Sequence, residues 1–316
     1  MAVDLSCRIG SITINPCVMN VPGASGLIPA ELATLSRSRA GAVVTPPIAR
    51  QRGPEPPPPE WHEFEGSSLT SPGAWTVHQG EAASLLAHAR QGGKPVMACV
   101  SGSTADDFLE TANYVASHGA DLILLDLSCR ATPDSRILGY NLRLAEKVMA
   151  EVRAVVSCPL GARLPIYLDI PNVEAVAAVA TRAGMDFLVA VAPAAAALGI
   201  DAGGQSVLRA RGGLGELAGA AIKPMALANV RVLYQATDGR LPIIGAGGVA
   251  SGRDAMEFLL AGARAVQVGT ALRRYGPGLF ARLETSLARQ LTKRCFSSAA
   301  AAVGQLQEPP AADGST

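Results

Sequence analysis

The stretch Leu241 to Leu272, LPIIGAGGVASGRDAMEFLLAGARAVQVGTAL, constrains this chain more than any other. It reads as strand, glycine turn, helix, strand, glycine turn. Leu241–Gly245 is a short apolar run that ends at Gly245-Ala246-Gly247-Gly248. Ser251-Gly252-Arg253-Asp254 opens an amphipathic helix that stops at Ala261-Gly262-Ala263, and Ala265–Val268 is a second buried strand closed by Gly269-Thr270. Glycines at strand ends let backbone N–H groups approach an anion with no Cβ in the way, and a following helix N-terminus adds positive dipole. One such turn is equally well a tight βα loop. Two in tandem, with the helix between them, predict the phosphate site found after strands 7 and 8 of a (β/α)8 barrel.

The rest of the chain supports that architecture. Short apolar runs alternate with helical patterns of about a dozen residues, which implies a parallel sheet. The expected strands are Asn15–Asn20, Gly41–Thr45, Pro95–Val100, Asp121–Leu127, Leu164–Leu168, Phe187–Val191 and the two above. Their number makes an α/β fold of the closed (β/α)8, or TIM-barrel, type the expectation. Ser6–Ile14 alternates apolar and polar residues and predicts a small N-terminal β-hairpin. Pro46–Glu60, with the run Pro56–Pro59, is expected as an extended active-site loop insertion, and Ala192–Ala197 as a featureless loop. From about Ser297 the chain turns Ala/Gly/Pro-rich. Residues 1–296 are therefore assigned to the barrel and 297–316 to a disordered tail.

Composition narrows the function. A net charge of +1 and 4% aromatic residues give no reason to expect nucleic acid or an anionic membrane as partner. The six cysteines, Cys7, Cys17, Cys99, Cys129, Cys158 and Cys295, contain no CxxC pair, so neither a disulfide framework nor a metal site is expected. MAVDLSCRIG does not read as a signal peptide, and no apolar run is long enough to span a membrane. A cytoplasmic protein acting on a small molecule is the expectation.

GAAIKPMALANVRVLY (Gly219–Tyr234), the Leu241–Leu272 stretch and GPGLFARL (Gly276–Leu283) closely resemble the C-terminal third of class 1 dihydroorotate dehydrogenases. The single-subunit cytosolic type is nearest. Weaker similarity runs through NPCVMN, GAVVT, the Ser101-Gly102-Ser103 turn and LLDLSC. The resemblance implies FMN at the strand C-termini, held by Gly219, Gly247, Gly248, Gly269 and Thr270, with Ser101 among the cofactor contacts. It also implies a homodimer, and leaves room for a separate electron-transfer partner.

The family's catalytic loop has the pattern N-[LIV]-S-C-P-N, and here reads Asp126-Leu127-Ser128-Cys129-Arg130-Ala131. Cys129 holds the position of the base, where a thiolate would take a proton from carbon. Arg130 beside it is expected to lower its pKa. The alternative is a small apolar residue at a strand end. Both asparagines of that motif are replaced, by Asp126 and Ala131. The family's N-S-M-G-L-P-N loop corresponds to Ser67–Gly73, which contains Thr70 and Ser71. Its N-S pair after the sixth strand falls on Ala192-Pro193, and its lysine after the second strand is Pro46. A second lysine, near the flavin N1 edge, aligns with Arg163, which still supplies a cation.

A pocket built to hydrogen-bond its ligand loses about 1–3 kcal/mol for each partner removed. The leading expectation is thus an FMN-dependent oxidoreductase acting on a C–C/C=C bond of a substrate other than dihydroorotate. Its site would be bordered by Asp126, Ala131, Thr70, Ser71 and Ala192. Two alternatives stay open: a true dihydroorotate dehydrogenase with rebuilt contacts, and a flavin- or phosphate-binding barrel without turnover.

Overall fold

A computed structural model describes residues 3–23, 28–51, 56–71, 76–130 and 136–307. The barrel strands are β1 (Val18–Asn20), β2 (Val43–Val44), β3 (Val96–Val100) and β4 (Leu122–Asp126). They continue with β5 (Leu160–Leu164), β6 (Phe187–Ala190), β7 (Ile243–Ala246) and β8 (Ala265–Val268). Each consecutive pair from β2 to β8 is parallel, and β8 pairs with β1.

The helices that cover the strands are α1 (Pro29–Arg37), α2 (Ala82–Ala89), α3 (Ala105–Ser117) and α4 (Leu142–Val155). After them come α5 (Ile170–Arg182), α6 (Lys223–Ala236) and α7 (Gly252–Ala261). Short α8 (Thr270–Tyr275) leads into α9 (Leu279–Lys293) and α10 (Ala299–Ala302). The fold is the expected (β/α)8 barrel.

Local chemistry accounts for the helix starts. Thr104 and Asp107 form a reciprocal capping box at α3, as Ser251 and Asp254 do at α7. Asn141 caps α4 by accepting from Leu144 N at 3.1 Å. The α3 helix stops before Gly119, whose φ of 84° is the left-handed conformation that favours glycine. Between helices and strands the core is filled by wholly buried Phe108, Phe187, Phe258 and Phe280.

A side chain seals the seam between β1 and β2. Gly41 N donates to Val18 O at 2.8 Å, but farther along the seam Asn20 takes over the ladder. Its Oδ1 accepts from Val44 N at 2.9 Å and its Nδ2 donates to Val44 O at 2.7 Å. Asn20 is fully buried, so truncation would orphan both Val44 groups. Asn20→Ala is expected to cost about 2–6 kcal/mol, at about 1–3 per buried group left unpaired. Urea unfolding followed by circular dichroism measures it, and a loss below about 1 kcal/mol would refute the sealing role.

Several sequence expectations are corrected. The fifth strand lies at Leu160–Leu164 rather than Leu164–Leu168. Pro165 has no N–H for a ladder, and Gly161 lets the Phe187 ring approach to 2.4 Å of where a Cβ would stand. The Pro46–Glu60 stretch is not wholly irregular, since Ile48–Ala49 pairs with Val77–His78 and Val100; residues 52–55 lie outside the described part.

The run Ala194–Leu198 is a strand, because Leu214–Gly219 lies alongside to pair with it. These two, with Ser67–Thr70 and Trp61–Phe64, form a four-stranded antiparallel sheet. The hairpin Cys7–Ile9 with Ile12–Ile14 matches expectation.

The disordered tail is also revised for residues 297–307. Asp4 N donates to Ser297 O at 3.2 Å and Ala299 N donates to Asp4 O at 2.8 Å. Ala299 and Ala302 of α10 are buried, so the alanine run packs as core where composition alone suggested disorder. Residues 308–316 lie outside the described part.

Candidate active site

All eight strands bring residues to one end of the barrel. Val21 and Pro22 follow β1, Pro47 follows β2, Ser101 follows β3, and Asp126, Ser128 and Cys129 stand at the end of β4. Arg163 comes from β5, Pro193 follows β6, Ala246–Gly248 close β7, and Gly269-Thr270 close β8. These are strand C-termini, where (β/α)8 barrels carry their chemistry. They enclose two adjoining cavities, a cleft of about 890 Å³ and a second of about 610 Å³. Val21, Arg163, Pro193, Ala218, Gly269 and Thr270 line both.

The smaller cavity is the glycine cradle anticipated from sequence. Gly219, Gly247 and Gly248 have φ of 86°, 118° and 81°. A Cβ on Gly219 would stand 2.5 Å from Gly66 O, and one on Gly248 would stand 2.7 Å from Lys223 Cβ. Only glycine backbone fits there, and the capped N-terminus of α7 follows at once. The cradle is braced from behind: Lys223, the first residue of α6, makes ion pairs with Asp254 and, at 2.6 Å, with Glu257 of α7.

The larger cavity holds the candidate chemistry. Cys129 keeps some surface at the cleft while its sulfur is enclosed, and it donates to Gly102 O at 3.0 Å. Burial pushes the thiol up to about 12, the Asp126 carboxylate pushes the same way, and hydrogen bonds with Gly102 and Ser101 offset this only in part. The expectation that Arg130 would lower this pKa is therefore overturned. Ser101 lines the cleft against this thiol and does not line the cradle cavity.

Asp126 is committed within the protein. Its Oδ2 accepts from Arg163 Nη1 at 3.0 Å, and its Oδ1 accepts from Ser128 N at 3.1 Å and Ser128 Oγ at 2.5 Å. Both partners of the ion pair are buried, and Arg163 Nε finds no acceptor among the described residues.

A roof crosses the cleft. Trp61, Thr70 and Glu216 are register partners on three adjacent strands of the antiparallel sheet, and all three line the cavity. Arg273 lays its guanidinium 4.4 Å from the Trp61 ring centre, Arg274 pairs with Glu63 at 3.2 Å, and Ser68 Oγ lies 3.0 Å from Thr270 Oγ1. The roof is thus strapped to α8.

Of the residues anticipated for substrate, Asp126 and Thr70 line the cleft. Ser71 and Ala192 are buried and absent from its lining; Pro193 is the cleft residue of that segment. Ala131 lies outside the described residues. Sequence reasoning missed Glu216 and Arg273 because it missed the sheet. The Glu65-Gly66 turn, with φ of 45° and 73°, was its one legible mark. Among the described residues no group of three or more His, Cys, Asp or Glu could hold a metal, and no helix is long and apolar enough to cross a membrane.

Fold and site together define a (β/α)8 barrel with a glycine cradle beside a cysteine-bearing cleft at its strand C-termini. A dihydroorotate dehydrogenase family model matches residues 5–291. The dihydroorotate dehydrogenase A (fumarate) of Lactococcus lactis subsp. lactis (strain IL1403) is 30% identical over 302 residues, covering 92% of this chain and 94% of that protein. The protein of the same name from Lactococcus lactis subsp. cremoris (strain MG1363) gives the same identity and coverage. A solved structure of DHODH from Eimeria tenella in complex with ferulenol superposes with a TM-score of 0.78 at 19% identity, covering 95% of this chain and 88% of that one. The chain belongs to the dihydroorotate dehydrogenase family of oxidoreductases.

Proposed function

We propose that this chain is an FMN-dependent oxidoreductase acting on a C–C/C=C bond of a substrate less polar than dihydroorotate. The observation that carries the reading is Asp126. Where the family motif has a neutral asparagine, this chain puts a buried carboxylate on the cleft wall beside Cys129, with its oxygens already taken by Arg163 and Ser128. An anionic ligand edge there meets carboxylate oxygens, already committed to Arg163 and Ser128, where the family motif offers an amide donor. Val21, Pro47, Trp61, Pro193 and Ala218 make much of the remaining wall apolar.

The chain's residues fit FMN. The cradle would be filled by any Cβ at Gly219 or Gly248 and so presents bare backbone to a phosphate. Arg163 Nε is an orphaned buried donor on the wall common to both cavities. When bound, FMN supplies the hydride acceptor or donor. Cys129 holds or moves the proton at Sγ, and Trp61 with the roof limits water at the reacting carbon. A homodimer, a cytoplasmic setting and a separate electron-transfer partner belong to this reading on family resemblance.

A second reading, a true dihydroorotate dehydrogenase with rebuilt contacts, is favoured by the names of the relatives and by Thr70, Ser128 and Glu216 on the cleft wall. An anaerobic titration of the FMN-loaded protein with dihydroorotate separates the two. The flavin band is expected to stay oxidised. Bleaching at stoichiometric dihydroorotate would overturn the first reading in favour of the second.

A further inference from the structure

Asp126 and Arg163 are register partners on β4 and β5, and their ion pair is more than nine-tenths buried on both sides. The pair stands at the wall between cradle and cleft: Arg163 lines both cavities and Asp126 only the cleft. One guanidinium arm is fixed by Asp126 at 3.0 Å, while the buried Nε–H has no acceptor among the described residues. A buried donor left open is costly unless a ligand completes it. The pair as a unit carries no net charge, whereas an arginine alone would place a full positive charge at the same point.

We propose that Asp126 is a positioning and charge-cancelling residue for the flavin. It holds Arg163 so that Nε–H meets the bound ring as a hydrogen-bond donor, while its carboxylate cancels the guanidinium charge. Reduced flavin carries negative charge on the ring edge away from the reacting N5. An uncompensated buried cation near that edge stabilises the reduced form, and a neutral pair does so far less. The consequence is a flavin of low potential, a better electron donor than the same barrel would hold with an asparagine at position 126. This inference rests on the FMN reading.

The test is a potentiometric titration of FMN-loaded protein against a reference dye, with sulfite binding as a second readout. Sulfite adds to oxidised flavin more tightly when positive charge lies near the ring. Asp126→Asn is expected to shift the flavin–dye equilibrium toward reduced flavin at least tenfold, about 30 mV for a two-electron couple, and to tighten sulfite binding at least tenfold. Asp126→Glu, which keeps the charge, should stay within threefold of wild type.

An unchanged potential and sulfite affinity in yellow Asp126→Asn protein would overturn the proposal. So would a shift in Asp126→Glu as large as in Asp126→Asn, since packing would then be responsible. Should Asp126→Asn fail to fold, Arg163→Gln carries the test with opposite sign, and no tenfold shift toward oxidised flavin would overturn the proposal. Wild-type protein that takes up no FMN would overturn the flavin reading, and this inference with it.

Discussion

Gly248→Val is expected to give a protein that folds but arrives colourless. At this position φ is 81°, a conformation that a β-branched residue rarely adopts. The first side-chain carbon would already stand 2.7 Å from Lys223 Cβ and 3.0 Å from Gly219 O. Relief requires the β7 turn to move, and with it the backbone N–H groups of the cradle. Lys223 cannot yield freely, because Asp254 and Glu257 hold its ammonium group from the other side. FMN affinity should fall by at least a hundredfold, about 2.7 kcal/mol at 1.36 per factor of ten. Fluorescence titration of apoprotein with FMN measures it, and affinity within threefold of wild type would show that the cradle does not hold the phosphate.

Cys129→Ala is expected to leave the protein yellow and to slow flavin reduction by its substrate at least a hundredfold, the lower range for removal of a general base. Photoreduction of the flavin, which needs no thiol, should be unchanged. The pH dependence carries the sharper prediction. With the thiol pushed up to about 12, the thiolate is the minor form throughout the accessible range, and its fraction grows tenfold per pH unit. Dehydrogenation, which needs the thiolate, should therefore accelerate tenfold per unit from pH 6 to pH 10. The reverse direction needs the thiol as proton donor and should be flat over the same interval. Stopped-flow absorbance in both directions gives the two slopes. A flat dehydrogenation profile, or full activity in Cys129→Ala, would remove Cys129 from the chemistry.

The barrel and its glycine cradle were legible because local rules and tertiary demands agree there. Glycine turns, capping residues and apolar strand runs of the Leu241–Leu272 stretch all serve one geometry, and each leaves a mark in sequence. The place of Cys129 on the cleft wall was legible through its motif. Its pKa was not, since neighbouring Arg130 suggested depression while enclosure and Asp126, which only the fold reveals, act in the opposite sense.

The roof was illegible for a different reason. Ala194–Leu198 has no alternation to advertise a strand, and its pairing partner Leu214–Gly219 lies well away in sequence. A strand made by its neighbours cannot be found from its own residues. The same holds for Asn20, whose role as a ladder rung depends on Val44, 24 residues away.

One strand of that roof belongs to two places at once. Leu214–Gly219 presents Glu216 and Ala218 to the cleft and ends at Gly219 in the cradle. Side chains along it can be exchanged without moving the anchor at its end, so new specificities are reachable by substitution. Lengthening or shortening it is a different matter. A one-residue slip would turn Glu216 to the opposite face and drag Gly219 out of register with Ser67. The fold therefore couples the history of its cleft wall to that of its glycine cradle, and leaves the wall free to drift in chemistry but not in length.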